Sequence, residues 1–121
     1  MRKMLSAQEI IAKHIDSDKI IESLAKSSDY KTSNREVDKL QKLYKRMKGN
    51  VNLAEQVYRV LLKHENDITR FHAAGECNGL GIYIKESKQV LEELSARTDI
   101  ENLYLKTGLK MCASDICDDA L

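Results

Sequence analysis

The chain has 121 residues, of which 42% are hydrophobic and 32% charged, and its 20 basic and 19 acidic side chains give a formal charge of +1. This composition predicts one small soluble domain that spans residues 1–121. The chain has no proline and only five glycines, which disfavours turn-rich all-β folds and disordered linkers. We therefore expect an all-α protein.

Two helices are predicted in the N-terminal part. Ser6 and Glu9 match a capping box, in which each side chain bonds a backbone amide of the first helical turn. The polar run Asp16, Ser17 and Asp18 interrupts the apolar stripe that follows. We expect one short helix to end at this run and a second to begin after it.

The clearest amphipathic helix is predicted from Asn34 to Lys48. Ser33 and Glu36 match a second capping box at its start, and Gly49 with Asn50 is typical of a helix end. At 100° per residue its apolar side chains fall within about 120° of one another. These side chains are Val37, Leu40, Leu43, Tyr44 and Met47.

Further helices are predicted toward the C-terminus, each with a start or stop signal. Asn52 with Glu55 predicts the start of one, and Asn66 can cap the next, which Gly81 ends in the left-handed conformation. After a connector of three residues, a helix is predicted from Lys85 to Ala96, and Asp99 caps a last one that ends at about Met111. The total of six or seven helices with short links favours a short solenoid of paired antiparallel helices. Residues 111–121 are a weakly specified tail.

One stretch of the chain resembles a HEAT-type repeat. Within Leu53–Met111, Asp67 opens a predicted helix, and Arg70, Ala73 and Ala74 follow at the spacing of such repeats. The resemblance implies an α-α superhelix, with helix pairs stacked side by side.

A more specific similarity includes the segment before that repeat. Ser28–Arg35, followed by Asp38, Leu40 and Tyr44 and then by the repeat, resembles a family of short, uncharacterised bacterial HEAT-like proteins over roughly residues 20 to 112. Members of this family are proposed to be immunity proteins, which bind and neutralise a toxin of their own bacterium. The resemblance therefore implies a cognate toxin as the partner.

Charge is spread unevenly along the chain. Residues 1–60 carry a net charge of +5 and residues 61–121 a net charge of −4. Much of the positive excess lies on the Asn34–Lys48 helix, on the side opposite its apolar stripe. This surface is either an ordinary solvated face or a docking surface for phosphate or an acidic partner. The residues predicted to bind a partner are Asn34, Arg35, Asp38, Lys39, Lys42 and Arg46.

An acidic set offers a second contact surface, for a basic partner. Its members also fit the simpler role of helix caps and solvated charges. The set consists of Glu92, Glu93, Asp99, Glu101, Asp115, Asp118 and Asp119.

The sequence gives little support for disulfide bonds, metal sites or cofactor sites. Cys77, Cys112 and Cys117 include no C-x-x-C pair, so we expect reduced thiols in a cytoplasmic protein. His72 with Cys77 supplies fewer than the four ligands of a structural zinc site, and no metal or cofactor is predicted.

The expected function is therefore that of a non-enzymatic protein-binding module. No complete nucleotide-binding or hydrolase motif is present, and no apolar run is long enough to cross a membrane. A nucleic-acid-binding or general scaffolding role is the alternative. The near-neutral charge and the six aromatic residues argue against nucleic acid, while the oligomeric state stays open.

Overall fold

Helices account for all the regular structure in the part of the chain that the computed structural model describes, residues 6–24, 30–102 and 104–110. Within these ranges there are six helices and no strand, which confirms the all-α class. They are α1 (Ala7–Ser23), α2 (Tyr30–Lys48), α3 (Val51–Leu61), α4 (Asp67–Leu80), α5 (Ile84–Ala96) and α6 (104–110). The predicted tail lies outside the described residues, as do Cys112 and Cys117.

Helix α1 is one continuous helix, so the predicted break at the polar run 16–18 is wrong. Its start is as expected, because Ser6 Oγ accepts a hydrogen bond from the Glu9 amide at 3.2 Å and the Glu9 carboxylate accepts one from the Ser6 amide. Ser17 and Asp18 are buried and bonded to side chains of other helices. Their polar groups are satisfied within the fold, and the helix continues through them.

Helix α2 begins at Tyr30, four residues before the predicted start. Ser33 therefore lies inside the helix, and the predicted capping box of Ser33 and Glu36 is wrong. The helix ends at Lys48, as its sequence predicts. Its apolar side faces the core, where three of the five predicted side chains are buried and two are half-buried. The buried ones are Leu40, Leu43 and Met47.

Asparagine side chains cap the next two helices. Asn66 caps α4 as predicted, but α3 is capped by Asn50, two residues before the predicted Asn52. The Asn50 carboxamide accepts a bond from the Leu53 amide at 3.2 Å. Gly81 ends α4 with φ 75°, the left-handed conformation expected of a glycine there.

The last two helices follow a connector and a turn. Tyr83 precedes α5 with φ 48°, and α5 begins at Ile84, the last residue of the predicted three-residue connector and one residue before the predicted start. The side chain of Asn102, and not Asp99, accepts a backbone amide at the start of α6. Asp99 instead pairs with Arg97 at 2.9 Å, so the predicted cap is wrong.

The core lies where α1 meets its neighbours. Helix α1 packs against α2, α3 and α4, and α4 packs against α5. Cys77 is buried in this core, as expected of a structural cysteine. No helix within the described ranges combines the length and apolar character needed to cross a bilayer. The largest fully buried apolar side chains are Ile10, Ile21, Met47, Tyr58, Leu61, Ile68, Leu94 and Leu105.

Candidate functional site

An open groove of about 370 Å³ lies between α1 and α2. We call it the α1–α2 groove. Helix α1 contributes Lys13, Asp16, Ser17 and Ile20 to its lining, and helix α2 contributes Glu36, Lys39, Lys42, Leu43 and Arg46. The groove is thus a place where side chains far apart in sequence meet.

The structure brings together half of the residues predicted to bind a partner. Those in the lining of the groove are Lys39, Lys42 and Arg46. Those exposed on α2 outside this lining are Asn34, Arg35 and Asp38.

The residues that α1 contributes to the groove could not be predicted from the charge pattern of α2. Lys13 adds a fourth basic side chain, and Ile20, which is 38% exposed, adds an apolar one. Both belong to a helix whose orientation against α2 is set by tertiary packing. The site therefore combines cationic side chains with an accessible hydrocarbon surface.

A buried carboxylate anchors one of the lysines. Glu36 is only 4% exposed, and it accepts hydrogen bonds from Ser17 Oγ at 2.9 Å and from Lys39 Nζ at 3.0 Å. Burial by itself would raise the pKa of Glu36, but these hydrogen bonds outweigh it and the pKa lies below its usual value. Among the described residues, the other three basic side chains of the groove have no ion-pair partner. The groove keeps a surplus of positive charge even with Asp16 in its lining.

A second polar cluster, on another side of α1, is fully buried at His14, Asp18 and Tyr58 and half-buried at its other members. We call it the buried polar network, and it connects α1, α3, α4 and α6. Its members are His14, Asp18, Tyr58, His72, Glu76 and Tyr104.

Asp18 is the centre of this network. One carboxylate oxygen lies 2.7 Å from His14 Nδ1 and the other 2.6 Å from His72 Nδ1. Burial alone would raise the pKa of Asp18, but the hydrogen bonds with the two histidines lower it to about 2. Asp18 is therefore ionised at neutral pH.

His14 is held between two carboxylates. Its Nε2 lies 3.0 Å from Glu76 Oε2, so both ring nitrogens face an acceptor and both must donate. Burial alone would lower the pKa of His14, whereas Glu76 and Asp18 raise it to about 10. His14 is an imidazolium cation inside the protein.

Two tyrosines close the ends of the network. Tyr58 Oη donates to Glu76 Oε1 at 2.7 Å, and Tyr104 Oη lies 2.8 Å from His72 Nε2. Burial raises the pKa of both tyrosines, and Glu76 raises that of Tyr58 further. Both remain protonated, so every side chain of the network has a partner.

One pattern in the sequence could have indicated this network. His14 and Asp18 are four residues apart, and so are His72 and Glu76, a spacing that places each pair on one helix face. Because His14 meets Glu76 while Asp18 meets His72, α1 and α4 run antiparallel. No member lines the α1–α2 groove, and no group of three or more His, Cys, Asp or Glu in the described ranges is arranged to hold a metal ion. We interpret the network as a structural connection between helices.

The acidic set is not gathered at one place. Glu92 and Glu93 line a groove between α3 and α5, while Asp99 and Glu101 line a different cavity that includes Asn66. Its other three members lie outside the described residues.

Comparison of the chain with protein-family models, with curated proteins and with solved structures found no match.

Proposed function

We propose that the protein is a non-enzymatic binding module whose α1–α2 groove accepts an acidic surface of another protein. One observation carries this proposal: basic side chains from two helices converge on one open groove around the exposed Ile20. Charge complementarity of this kind speeds association and selects partners.

The composition of the groove favours a protein over a nucleic acid as the partner. Ile20 offers an apolar contact, and Asp16 places a negative charge in the lining, which a protein surface can meet with a basic or neutral side chain, whereas a nucleic-acid backbone is negatively charged at every unit. A protein can present carboxylates for Lys13, Lys42 and Arg46 and an apolar side chain for Ile20. The expected partner surface is therefore an apolar residue flanked by Asp or Glu.

The family resemblance implies that the partner is a bacterial toxin, which this chain would neutralise. We include this immunity role in the proposal.

The proposal also includes a HEAT-like pairing of helices. It is supported by the start of α4 at Asp67 and by the burial of Ala73 and Ala74. Packing of α1 on α2 and of α4 on α5 agrees with such pairs. A cytoplasmic location belongs to the same proposal.

The test compares two charge-reversed variants. Lys42→Glu with Arg46→Glu alters the groove, while Lys85→Glu with Lys88→Glu makes the same change in net charge at exposed positions of α5. Proteins from a lysate of the source cells that are retained by the wild type and the α5 variant but lost from the groove variant are candidate partners. Their association in stopped-flow mixing should slow at least about tenfold for the groove variant.

An equal association rate for all three proteins would refute the groove as the contact. A duplex DNA oligonucleotide serves as the competing probe. If it binds the wild type, binding should weaken steeply with salt, and its loss in the groove variant would favour the nucleic-acid alternative. A captured partner with no toxic activity when expressed alone would refute the immunity role and leave protein binding intact.

A further inference from the structure

A second open groove, of about 700 Å³, lies between α3 and α5. We call it the α3–α5 groove. It shares no lining residue with the α1–α2 groove. Its lining consists of Arg59, Leu62, Lys63, Tyr83, Glu86, Gln89, Val90, Glu92 and Glu93.

The two walls of this groove carry opposite charges. The α3 wall presents Arg59 and, from the turn after the helix, Lys63, and the α5 wall presents three glutamates, Glu86, Glu92 and Glu93. Leu62, Val90 and Tyr83 provide the apolar part between the walls. A partner that fits must place acidic groups over α3 and basic groups over α5.

The walls are not neutralised within the chain. Neither Arg59 nor Lys63 forms an ion pair with any residue in the described ranges, and the same holds for Glu86. Glu93 lies 3.9 Å from Arg70 and its side chain is still 73% exposed. These charges are available to a second molecule.

Exposed apolar side chains also concentrate on the same two helices. Of four large hydrophobic residues exposed among those described, Val51 and Val60 lie on α3 and Ile84 lies on α5, with exposures of 55%, 45% and 45%. All three lie outside the lining of the groove, so a contact there depends on the charged walls and on Leu62, Val90 and Tyr83.

Both helices run in the same direction along the groove. Tyr83, just before α5, donates its hydroxyl to the Glu55 carbonyl in the early part of α3 at 3.3 Å, which marks one end. The lining then extends to Lys63, in the turn that follows α3, and to Glu93 on α5. A two-fold axis that runs along the groove, parallel to both helices, would therefore place the basic wall of one copy over the acidic wall of another, with residues at the same level facing each other.

We propose that the α3–α5 groove is a contact between two copies of this chain. A two-fold contact is self-complementary, because the same patch is used on both subunits, and opposite charges on the two walls meet this requirement. In this arrangement Arg59 of each copy faces Glu86 of the other, and Lys63 faces Glu93. The proposal is independent of the α1–α2 groove.

The charge pairing gives a specific test by sedimentation equilibrium. The wild type should show a monomer–dimer equilibrium that weakens as salt is raised. Arg59→Glu and Glu86→Arg should each weaken dimerisation at least about tenfold, since each creates two like-charge contacts in a dimer of identical chains. An equimolar mixture of the two variants should form dimers again, because every contact between unlike chains then pairs opposite charges.

Lys88→Glu, on an exposed part of α5 outside the groove, is the matched control and should dimerise like the wild type. Circular dichroism of each variant checks that the helices are intact. A wild type that stays monomeric up to about 100 μM would overturn the proposal. So would a mixture that dimerises no better than its two components.

Discussion

Helix α1 carries charged and polar side chains on two faces, which differ in what surrounds them. On one face His14 and Asp18 are fully buried and bonded to carboxylate and imidazole groups of α4. On the other face Lys13 and Asp16 line an open groove against α2. Ser17 lies at the boundary, where it is buried and donates to Glu36.

The two faces use their charges differently because one face is buried and the other is exposed. A buried charge without a partner is costly, so the network face is satisfied within the chain, and its removal should be felt as lost stability. Exposed charges contribute little to stability. The groove face is therefore free to serve recognition, and changes of side chains there that have no partner within the chain should affect binding and not folding.

The largest effect should come from breaking the centre of the network. Asp18→Ala leaves His14 and His72 without their shared carboxylate, and we expect a loss of about 3 to 5 kcal/mol in the free energy of unfolding. Urea denaturation measures it. Asp16→Ala, two residues away in the groove, is the control and should change stability by less than about 0.5 kcal/mol. Equal losses at the two positions would contradict the distinction between the faces.

The second effect is a dependence of stability on pH. The pKa of His14 is raised from 6.5 to about 10 by folding, so its contribution is fully present below pH 6.5 and is lost as the pH rises through 10. We expect the free energy of unfolding to fall by roughly 2 to 3 kcal/mol between pH 6.5 and pH 9. His14→Gln should flatten this slope, whereas His64→Gln should keep it. A steep slope in both variants would mean that another group titrates.

Asp18 limits stability on the acid side. Its pKa is lowered from 3.8 to about 2, so its contribution is present above pH 3.8 and is lost as the pH falls through 2. The network as a whole is therefore strongest between about pH 4 and pH 6.5.

The smallest effects should distinguish positions within the groove. Lys39 neutralises the buried Glu36, so Lys39→Glu should cost about 1 to 2 kcal/mol. Lys42→Glu with Arg46→Glu should stay within about 0.5 kcal/mol of the wild type. Thermal unfolding of the variants measures both. If Lys39→Glu left the free energy of unfolding unchanged, the buried Glu36 carboxylate would not need that lysine for its stabilisation.

Features set by neighbouring residues could be predicted from the sequence. The capping box at Ser6, the cap at Asn66 and the left-handed Gly81 are local patterns, and the amphipathic stripe of α2 needs only its own period. Of the candidate site, the three α2 side chains in the groove followed from the same period.

Features that depend on distant residues could not be predicted. The polar run in α1 indicated a break because its partners are far along the chain: His72 is 54 residues from Asp18, and Glu76 is 62 residues from His14. Once those partners are in place, a polar residue is as well accommodated inside the helix as an apolar one. Lys13 joined the groove for the same reason, since only tertiary packing brings α1 beside α2.

Ser17 and Asp18 are neighbours on α1 but bond to different helices, and this arrangement also constrains the length of α1. Each residue of an α-helix advances by about 100° around the axis, so one residue inserted between His14 and Ser17 would turn the following side chains by that angle. Asp18 would leave His72 and Ser17 would leave Glu36 in the same event. A substitution affects the contacts of one face of α1, whereas an insertion or deletion here disrupts the contacts of both faces. We therefore expect α1 to tolerate changes of residue type far better than changes of length.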